Sequence, residues 1–577
     1  MRKKRNDIVL SLAIIIIAGI VVYLNSLGGE FLFDDEAVVV ANPNIEKIWP
    51  LREAFAAPPR SPVRDRPVVN LTLSLNYMLG GRAPASYHLG NLLIHIISAL
   101  LLFGIIKRTF ESPRLAARYG LSASGLALAA ALLWEVHPLQ TESVAYITQR
   151  CESLMGIFYL GTLYALIRGA GSERSRWWYA AAVILCALGM GSKAVMVTAP
   201  LVVICYDRVF ISRSWRELWR KRRWLYLALA ATWIIQVILV LVTSYRDIKT
   251  YRLGEYALSQ FGVITHYLRL SFWPHPLCLD YHWPVAGRFG EIIPPGILIG
   301  ALLGLTIWGL IKKPALGFLG VWFFLILAPT SSILPLEDLA FEHRIYLPLA
   351  AIVVLFVIGG YEALRYLFPT SRRRQKIWGT ILAALLVGIL GYSTIRRNLD
   401  YRSAEGMWQD VIGKRPSNPR PYNNLANIAL KKGEAEQAFE LYQTAARLDP
   451  DYQAAHYNLA NLLAGRGELT GAVAYYRRTL EINPEAVEAH NNLAVAIYRL
   501  GRKEEAVAHL REAMRIDPED PAAYYNMGLL LFKEGQTRQS LPYLERAVEL
   551  RPDHEPARRA RAAARKEAAE AFGDGER

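Results

Sequence analysis

Five prolines recur at a constant interval along the last third of this 577-residue chain. Each lies 34 residues after the one before it: Pro416, Pro450, Pro484, Pro518 and Pro552. Four glycines and four asparagines keep the same step: Gly433, Gly467, Gly501 and Gly535, and Asn424, Asn458, Asn492 and Asn526. A fixed period of this length predicts stacked helix-turn-helix units, because a single unit cannot bury its apolar face alone. The last third of the chain is therefore expected to form an α-solenoid.

The period is typical of tetratricopeptide repeats. Four full repeats are predicted over residues 417–552, and residues 553–577 are predicted to be the polar capping helix and tail that such arrays need. Residues 397–416 are predicted to form a connecting half-repeat, because Trp408 and Pro416 stand in register with the repeats that follow.

Apolar runs dominate residues 1–396, and each is about 16 to 23 residues long, near the length that crosses a bilayer as a helix. Basic stretches separate these runs and are expected on the cytoplasmic side: Arg2–Arg5, Lys107–Arg118, Arg168–Arg176, Arg208–Arg223, Lys312–Lys313 and Arg365–Lys376. The net charge of +16 therefore reflects membrane topology and does not indicate nucleic-acid binding. The fold class is predicted to be all-α, with a polytopic membrane domain before the solenoid.

Threading the chain through the basic stretches gives about eleven transmembrane helices, the last of which leads out of the cytoplasm. The solenoid is then extracytoplasmic. The segment Tyr256–Phe272 is apolar but amphipathic, and we interpret it as lying in the outer membrane interface or dipping into the membrane. If this segment spans the membrane instead, the repeats change sides.

Polar residues collect at the outer ends of the predicted spans. Phe33-Asp34-Asp35-Glu36 follows the first span, and acids near a membrane are costly unless they have partners or a task. The same face is predicted to carry cationic groups: Arg64, Arg66, Lys193, His343 and Arg344. Clustered carboxylates beside cations suit a lipid phosphate and a group that must be deprotonated. They suit a transporter poorly, because transporters place polar groups near mid-bilayer on broken helices in repeated halves.

Four groups of motifs resemble those of one family. They are Phe33-Asp34-Asp35 with Asn42-Pro43, the segment Val136–Val144, Tyr267-x-x-Leu270-x-Phe272-Trp273-Pro274 with Leu279-Asp280-Tyr281, and the segment Ala340–Pro348. In this order they resemble the transmembrane and tetratricopeptide-repeat-containing O-mannosyltransferases and their prokaryotic relatives, which have the GT-C fold of polyprenyl-phosphate-dependent glycosyltransferases. One motif departs from the family, since Ser192-Lys193-Ala194 stands where Ser-Lys-Glu is common.

The resemblance implies an inverting transferase that moves mannose or another hexose from a polyprenyl phosphate to hydroxyl side chains of extracytoplasmic proteins. Short cytoplasmic loops and the lack of an endoplasmic-reticulum retention signal favour a prokaryotic member. The expected location is then the bacterial inner membrane, with the active site and the repeats on the periplasmic face. The expected partners are the lipid-linked sugar, membrane lipids and a protein or peptide acceptor held by the repeats.

Polyprenyl phosphate is a good leaving group, so the chemistry requires a carboxylate to take the acceptor proton and cations to hold the phosphate. By its place in the motif, Asp34 is the predicted base. Asp35 is predicted to orient Asp34 or the acceptor, and it is the candidate ligand should a divalent cation, Mg²⁺ or Mn²⁺, take part. No other cofactor is expected.

Arg344 and His343 are the first candidates for binding the phosphate, with Lys193 and Arg64 or Arg66 behind them. Arginine suits this role because its planar fork can bind two phosphate oxygens at once. His137 receives no catalytic role, because a His-Pro pair at a helix end can simply cap it.

The asparagines at the repeating position have two interpretations. As acceptor-binding residues, Asn424, Asn458, Asn492 and Asn526 would line the concave side of the solenoid and hydrogen-bond the backbone of an extended peptide. As structural residues, they would satisfy the turns of the repeat itself, and repeat position does not separate the two.

Other functions remain open at this point. A GT-C enzyme of this kind could act on a glycolipid or a cell-wall polymer, with the repeats recruiting partners. A non-catalytic membrane scaffold that presents the repeats is the alternative from another class, and it has no need of the acidic residues after the first span. A polymerase or ligase of surface polysaccharide is expected to lack the pair Asp34-Asp35.

The basic stretches predict that residues 417–552 lie outside the cytoplasm. A reporter that is active only in the cytoplasm, fused after Arg577, is expected to stay silent, whereas the same reporter fused after Arg118 is expected to be active. An active reporter after Arg577 would contradict the predicted topology.

Overall fold

The computed structural model describes residues 2–58, 61–243, 251–332 and 335–573. These residues are mostly helical and contain no β-strand, which confirms the all-α prediction. The chain divides into two compact units, residues 1–414 and residues 415–577.

The described residues of the first unit form eighteen α-helices. In chain order they are α1 (Arg2–Tyr23), α2 (Leu51–Phe55), α3 (Pro67–Gly80), α4 (Pro84–Phe110), α5 (Ala116–Tyr119), α6 (Ala123–Glu135), α7 (Thr141–Ala145), α8 (Arg150–Ala170), α9 (Ser175–Met190), α10 (Ala199–Tyr206), α11 (Trp215–Ala231), α12 (Trp233–Thr243), α13 (Leu253–Phe272), α14 (Phe289–Lys312), α15 (Pro314–Leu327), α16 (Leu349–Leu367), α17 (Arg372–Asp400) and α18 (Ala404–Lys414). Short helical turns at Glu36–Val40, Pro138–Gln140 and Glu342–Ile345 carry several of the predicted site residues or their neighbours.

The first unit is a multi-pass membrane domain. Within the described residues, nine stretches are long and apolar enough to cross a bilayer: Asn6–Gly28, Pro84–Phe110, Ala116–Glu135, Ile147–Ala170, Ala194–Ile211, Trp215–Thr243, Phe289–Lys312, Leu349–Leu367 and Arg372–Asp400. A shorter apolar helix, Pro314–Leu327, follows the seventh. The total of about eleven spans stays a prediction.

Helix α13 is not one of the nine stretches, although it has 20 residues. It is amphipathic, because it buries polar groups such as Tyr256 and Gln260 while Leu258 and Phe272 are exposed. Tyr256 Oη donates to Thr330 O at 2.8 Å, and Gln260 Nε2 donates to Leu339 O at 3.2 Å. This face of α13 therefore supports the backbone that precedes Phe341-Glu342-His343-Arg344, and its depth in the membrane stays a prediction.

Arg150 joins three helices inside the apolar interior of the first unit. Only 1% of this residue is exposed, so its charge must be met by protein groups. Its Nε donates to Asn91 Oδ1 at 2.6 Å, its Nη1 to Asn76 Oδ1 at 2.5 Å, and its Nη2 to Tyr87 O at 2.8 Å. These bonds fix the start of α8 against α3 and α4, which is where the candidate site is built.

The second unit is a stack of paired helices, as the 34-residue period predicts. Its helices are α19 (Pro419–Lys431), α20 (Ala435–Leu448), α21 (Gln453–Arg466), α22 (Leu469–Ile482), α23 (Val487–Arg499), α24 (Lys503–Ile516), α25 (Pro521–Lys533), α26 (Thr537–Leu550) and α27 (Glu555–Gly573). The small residues at one position of the repeat are completely buried where two helices meet: Ala438, Ala472, Ala506 and Ser540.

The backbone conformation explains why glycine recurs at one position of the repeat. Each ends the first helix of its pair at a positive φ, and Gly467, with φ +82°, caps α21 in the left-handed conformation. A residue with a Cβ is strained in that conformation, whereas glycine is not.

We predict opposite effects for two neighbouring glycines of α21. A Cβ added to Gly465 or to Gly467 would meet no atom within 4 Å, so only the backbone conformation separates them. Gly467→Ala is expected to destabilise the repeats by about 1–2 kcal/mol. Gly465→Ala, inside the helix, is expected to stabilise them by about 0.5–1 kcal/mol.

Hydrogen–deuterium exchange of α21 and α22 in the full-length chain would report both effects. Equal protection in the two variants would contradict the conformational explanation.

Candidate active site

Hydrogen bonds join the sequence motifs of the first unit to one another. The links that connect distant motifs are Thr148 N to Asp35 Oδ1 (2.7 Å), His343 N to Glu142 Oε2 (2.8 Å), Tyr281 Oη to Glu342 Oε1 (2.7 Å) and Phe341 N to Tyr267 Oη (2.9 Å). Three of these four links end on a buried carboxylate. The motifs therefore converge on one polar centre within an otherwise apolar unit.

Asp35 anchors the turn that follows the first candidate span. Its side chain is completely buried. Oδ1 accepts from Thr148 N at 2.7 Å and from Thr148 Oγ1 at 2.6 Å, and Oδ2 accepts from Leu32 N at 2.9 Å. Burial raises the pKa of Asp35 to about 7, although these hydrogen bonds act in the opposite direction. Asp35 is therefore committed to holding the backbone.

Asp34 is the more accessible acid of the pair. It is half-buried, and its main-chain N–H donates to Tyr146 Oη at 3.1 Å. The preceding Phe33 has φ +40°, a strained value for a residue with a side chain, and its ring packs edge-on against Trp408 at 5.2 Å between centroids. The turn thus presents Asp34 in one orientation, held by Asp35 on one side and by Phe33 on the other.

The described residues do not fit a resident divalent cation. Both oxygens of Asp35 already accept hydrogen bonds from Leu32 or Thr148. In the part of the chain that the structure describes, no group of three or more His, Cys, Asp or Glu side chains is placed to hold a metal ion.

Lys193 is paired with a carboxylate that was not identified as a site residue from the sequence. Its Nζ forms a salt bridge with Glu152, whose side chain is 2% exposed. Arg66 lies beside the same part of α8, with Nη1 donating to Cys151 Sγ at 3.2 Å and Nε 3.4 Å from Asp65 Oδ1.

The charges of three of the predicted cations act on His343. Burial lowers the pKa of His343 well below its usual range, and the positive charges of Lys193, Arg344 and Arg66 lower it further. These three cations are therefore close enough to act on one ring. The main-chain N–H of Arg64 donates to Ser61 O at 3.0 Å, and its binding of a phosphate stays a prediction.

Arg344 is buried and binds backbone carbonyls. Nη1 donates to Leu339 O at 2.9 Å and to Thr330 O at 3.1 Å, and Nη2 donates to Asp338 O at 2.6 Å. Arg344 thus organises the segment before Phe341, and its binding of a phosphate stays a prediction.

His343 forms a close pair with Glu142. Glu142 Oε1 lies 2.7 Å from His343 Nδ1, and Glu142 Oε2 accepts from the main-chain N–H of His343 at 2.8 Å. Burial raises the pKa of Glu142 to about 7. Phe341 stacks on the imidazole at 5.0 Å between ring centroids.

Four charged residues of the polar centre received no role from the sequence, namely Glu142, Glu152, Glu342 and Arg397. Arg397 binds Asp400 and Asp410 at 2.8 and 3.0 Å, and its Nη2 lies 3.9 Å from Glu342 Oε2. The signal that could have found Glu152 and Arg397 is a charged residue inside or at the end of an apolar run, where burial without a partner is costly. Their partners, in contrast, are visible only in the structure.

In the solenoid, three of the four periodic asparagines bond to the preceding repeat. Asn458 Nδ2 donates to Asn423 Oδ1 (2.8 Å), Asn492 Nδ2 to Tyr457 Oη (2.9 Å) and Asn526 Nδ2 to Asn491 Oδ1 (3.4 Å), whereas Asn424 Nδ2 donates to Arg420 O (3.1 Å). All four side chains are half-buried, and their Oδ1 atoms accept no hydrogen bond from the described residues. The amide groups of three asparagines therefore join neighbouring repeats, while the side-chain oxygens of all four accept no bond within the described part of the chain that would keep a ligand away.

Profiles of known protein families match segments of both units. The family profile described as dolichyl-phosphate-mannose-protein mannosyltransferase matches residues 60–242. Tetratricopeptide-repeat profiles match residues 396–453, 423–487, 457–521 and 521–554.

Curated relatives extend across both units. The protein O-mannosyl-transferase F38B6.6 of Caenorhabditis elegans is 26% identical over 480 residues, which are 78% of this chain and 64% of the relative. Protein O-mannosyl-transferase TMTC4 of Homo sapiens is 26% identical and covers 73% of this chain and 64% of the relative. Protein O-mannosyl-transferase TMTC3 of Homo sapiens is 22% identical, with 77% of this chain and 52% of the relative covered.

Among solved structures, MamA is 21% identical, with 27% of this chain and 91% of that chain covered at a TM-score of 0.24.

The fold and the site define a multi-pass membrane protein with a buried polar centre and a tetratricopeptide-repeat solenoid. Over both units the chain is similar to the transmembrane and tetratricopeptide-repeat-containing O-mannosyltransferases. It spans between about half and just under two thirds of the length of the relatives named above.

Proposed function

We propose that this protein is an inverting glycosyltransferase that moves a hexose from a polyprenyl phosphate to hydroxyl side chains of proteins. Mannose is the first candidate for this hexose. The relatives are named protein O-mannosyl-transferases, and the matching family profile names dolichyl phosphate mannose. The observation that carries the proposal is the arrangement of Asp34 and Asp35. A fully buried carboxyl holds the turn, and its neighbour is left half-buried beside a cationic centre.

Asp34 would act as the general base. The acceptor oxygen attacks C1 of the sugar on the face opposite the phosphate, the proton of the hydroxyl passes to the Asp34 carboxylate, and the bond from C1 to the phosphate oxygen breaks. Inversion at C1 follows from this single displacement. A fixed base needs no reorganisation during the step, and the strained turn at Phe33 supplies that fixation.

Cations would meet the charge that develops on the departing phosphate. Lys193, Arg66 and Arg344 are the groups whose charges act together on His343, and Arg66 also interacts with the charge of Asp34. A phosphate bound between them would lie close to the base and to the acceptor. The proposed location is the bacterial inner membrane, with this centre and the solenoid on the periplasmic face.

The decisive test of the base is Asp34→Asn, because this change keeps the shape of the side chain and removes its basicity. We expect transfer to fall by about a hundredfold or more. Glu36→Gln is the matched control, since it removes an exposed negative charge two residues away and is expected to keep transfer near the wild-type level.

Transfer would be measured with purified full-length protein, a mannosyl polyprenyl phosphate and a protein acceptor, with mass spectrometry of the product. Near-normal turnover by Asp34→Asn would remove Asp34 as the base. Modification of a glycolipid or a polymer in place of the protein would replace the proposed acceptor.

A second prediction concerns the solenoid. If the free Oδ1 atoms bind an acceptor chain, Asn458→Ala with Asn492→Ala should impair transfer to full-length protein acceptors. Transfer to a short peptide at high concentration should survive, because a tethering site raises local concentration without entering the chemical step. Each substitution also removes a hydrogen bond between repeats, which is expected to lower stability by about 1 kcal/mol.

The melting profile separates the two interpretations of the asparagines. Loss of folding would show that they serve the repeat itself. Equal loss of transfer to both acceptors, with a native melting profile, would contradict a tethering role.

A further inference from the structure

His343 presents its two ring nitrogens to different surroundings. Nδ1 is 2.7 Å from Glu142 Oε1, whereas Nε2 has no hydrogen-bond partner among the described residues. The side chain retains 8% of its exposure. One nitrogen is therefore fixed by the protein, and the other remains available to a ligand.

The geometry restricts where a proton on Glu142 can be. Oε2 already accepts from the main-chain N–H of His343 at 2.8 Å, so a carboxyl proton belongs on Oε1, between Glu142 and Nδ1. A neutral imidazole carries a proton on one nitrogen only. If Glu142 is ionised, that proton is on Nδ1 and Nε2 is an acceptor. If Glu142 is protonated, Oε1 donates to Nδ1, and Nε2–H becomes a donor.

We propose that Glu142 and His343 share one titrating proton that switches His343 Nε2 between acceptor and donor, and that the donor form binds a phosphate oxygen of the lipid-linked sugar. This inference rests on the proposed function and assigns the phosphate a ligand whose state depends on pH. Glu142 acts only through His343 and is a positioning residue.

The surroundings of the pair favour this behaviour. Burial lowers the pKa of His343 well below its usual range, so the ring stays neutral, and burial raises the pKa of Glu142 to about 7. The pair therefore takes up its proton on the carboxyl near neutral pH, as a coupled unit. The other charged groups that act on it include Lys193, Arg344, Arg397, Arg66, Glu152 and Glu342, and burial raises the pKa of Glu342 to about 7 as well.

The sign of the pH dependence follows from these states. Above about pH 7 the pair is anionic and Nε2 is bare, which opposes a phosphate. Below that pH the pair is neutral and Nε2–H donates. The affinity for the phosphate is thus expected to fall as the pH rises through 7.

The test is the binding of mannosyl polyprenyl phosphate to the full-length protein between pH 5.5 and 8.5, without an acceptor. This ligand is a phosphodiester and carries one negative charge throughout the range, so its own titration does not contribute. We expect the Kd of the wild-type protein to rise by about tenfold across the range, the size of one lost hydrogen bond to a charged group.

Glu142→Gln is the informative variant. The glutamine oxygen can still accept from the main chain of His343, and its NH₂ group donates to Nδ1, which fixes the ring proton on Nε2. The variant is therefore expected to bind tightly at every pH, and its affinity at pH 8.5 should exceed that of the wild type. A gain of affinity cannot come from misfolding. His343→Phe, which keeps the stacking on Phe341, is expected to bind about tenfold more weakly at low pH and without pH dependence.

The outcomes separate this inference from the proposed function. The same pH dependence in the wild type and in Glu142→Gln, or unchanged affinity in His343→Phe, would overturn the shared proton while transfer by the wild type stands. A wild-type protein that neither binds the donor nor transfers the sugar would overturn both.

Discussion

The cost of burying charge in apolar surroundings constrains the whole of the first unit. An ion without partners in such an interior is destabilising by several kcal/mol, so each buried charge has to be met by the protein itself. Arg150 shows the consequence, since its guanidinium is 1% exposed and bonds Asn91, Asn76 and Tyr87 on two other helices. The helices that meet this charge are thereby held in one arrangement, and that arrangement positions the site.

The same constraint gives the two neighbouring acids different tasks. Asp35 is enclosed, and its oxygens are committed to Leu32 and Thr148, so it is expected to fix the turn and not to meet a substrate. Asp34 keeps partial exposure on that fixed turn. A base that is already in position contributes to catalysis without reorganising, and a second, buried carboxyl is one way to keep it there. The proposed roles of Asp34 and Asp35 thus differ because of their burial, since the residue type is the same.

Periodic features of this chain could be predicted from sequence, but pairwise contacts could not. The period of 34 residues predicts the solenoid, because every repeat needs a residue such as Gly467 at a positive φ and the sequence therefore shows glycine at a fixed interval. Apolar runs predicted the membrane domain for a similar reason, since length and hydropathy are properties of a segment. The pairing of Lys193 with Glu152 joins residues 41 positions apart, and no local pattern indicates it. Arg344 was predicted to bind phosphate by residue type, and only the structure shows its bonds to three carbonyls.

These pairings also decide how positive the site is. The charge of Lys193 is balanced by Glu152, whereas the groups that bind Arg344 are carbonyls, which solvate its charge without neutralising it. Within the described residues, no carboxylate lies within salt-bridge distance of Arg344, so its full positive charge acts on the neighbouring pair of His343 and Glu142. In a buried site such a charge is screened less than in water and acts over a longer distance. Arg344 can therefore favour an anionic leaving group through its charge, and in the proposed mechanism His343 Nε2 supplies a direct contact.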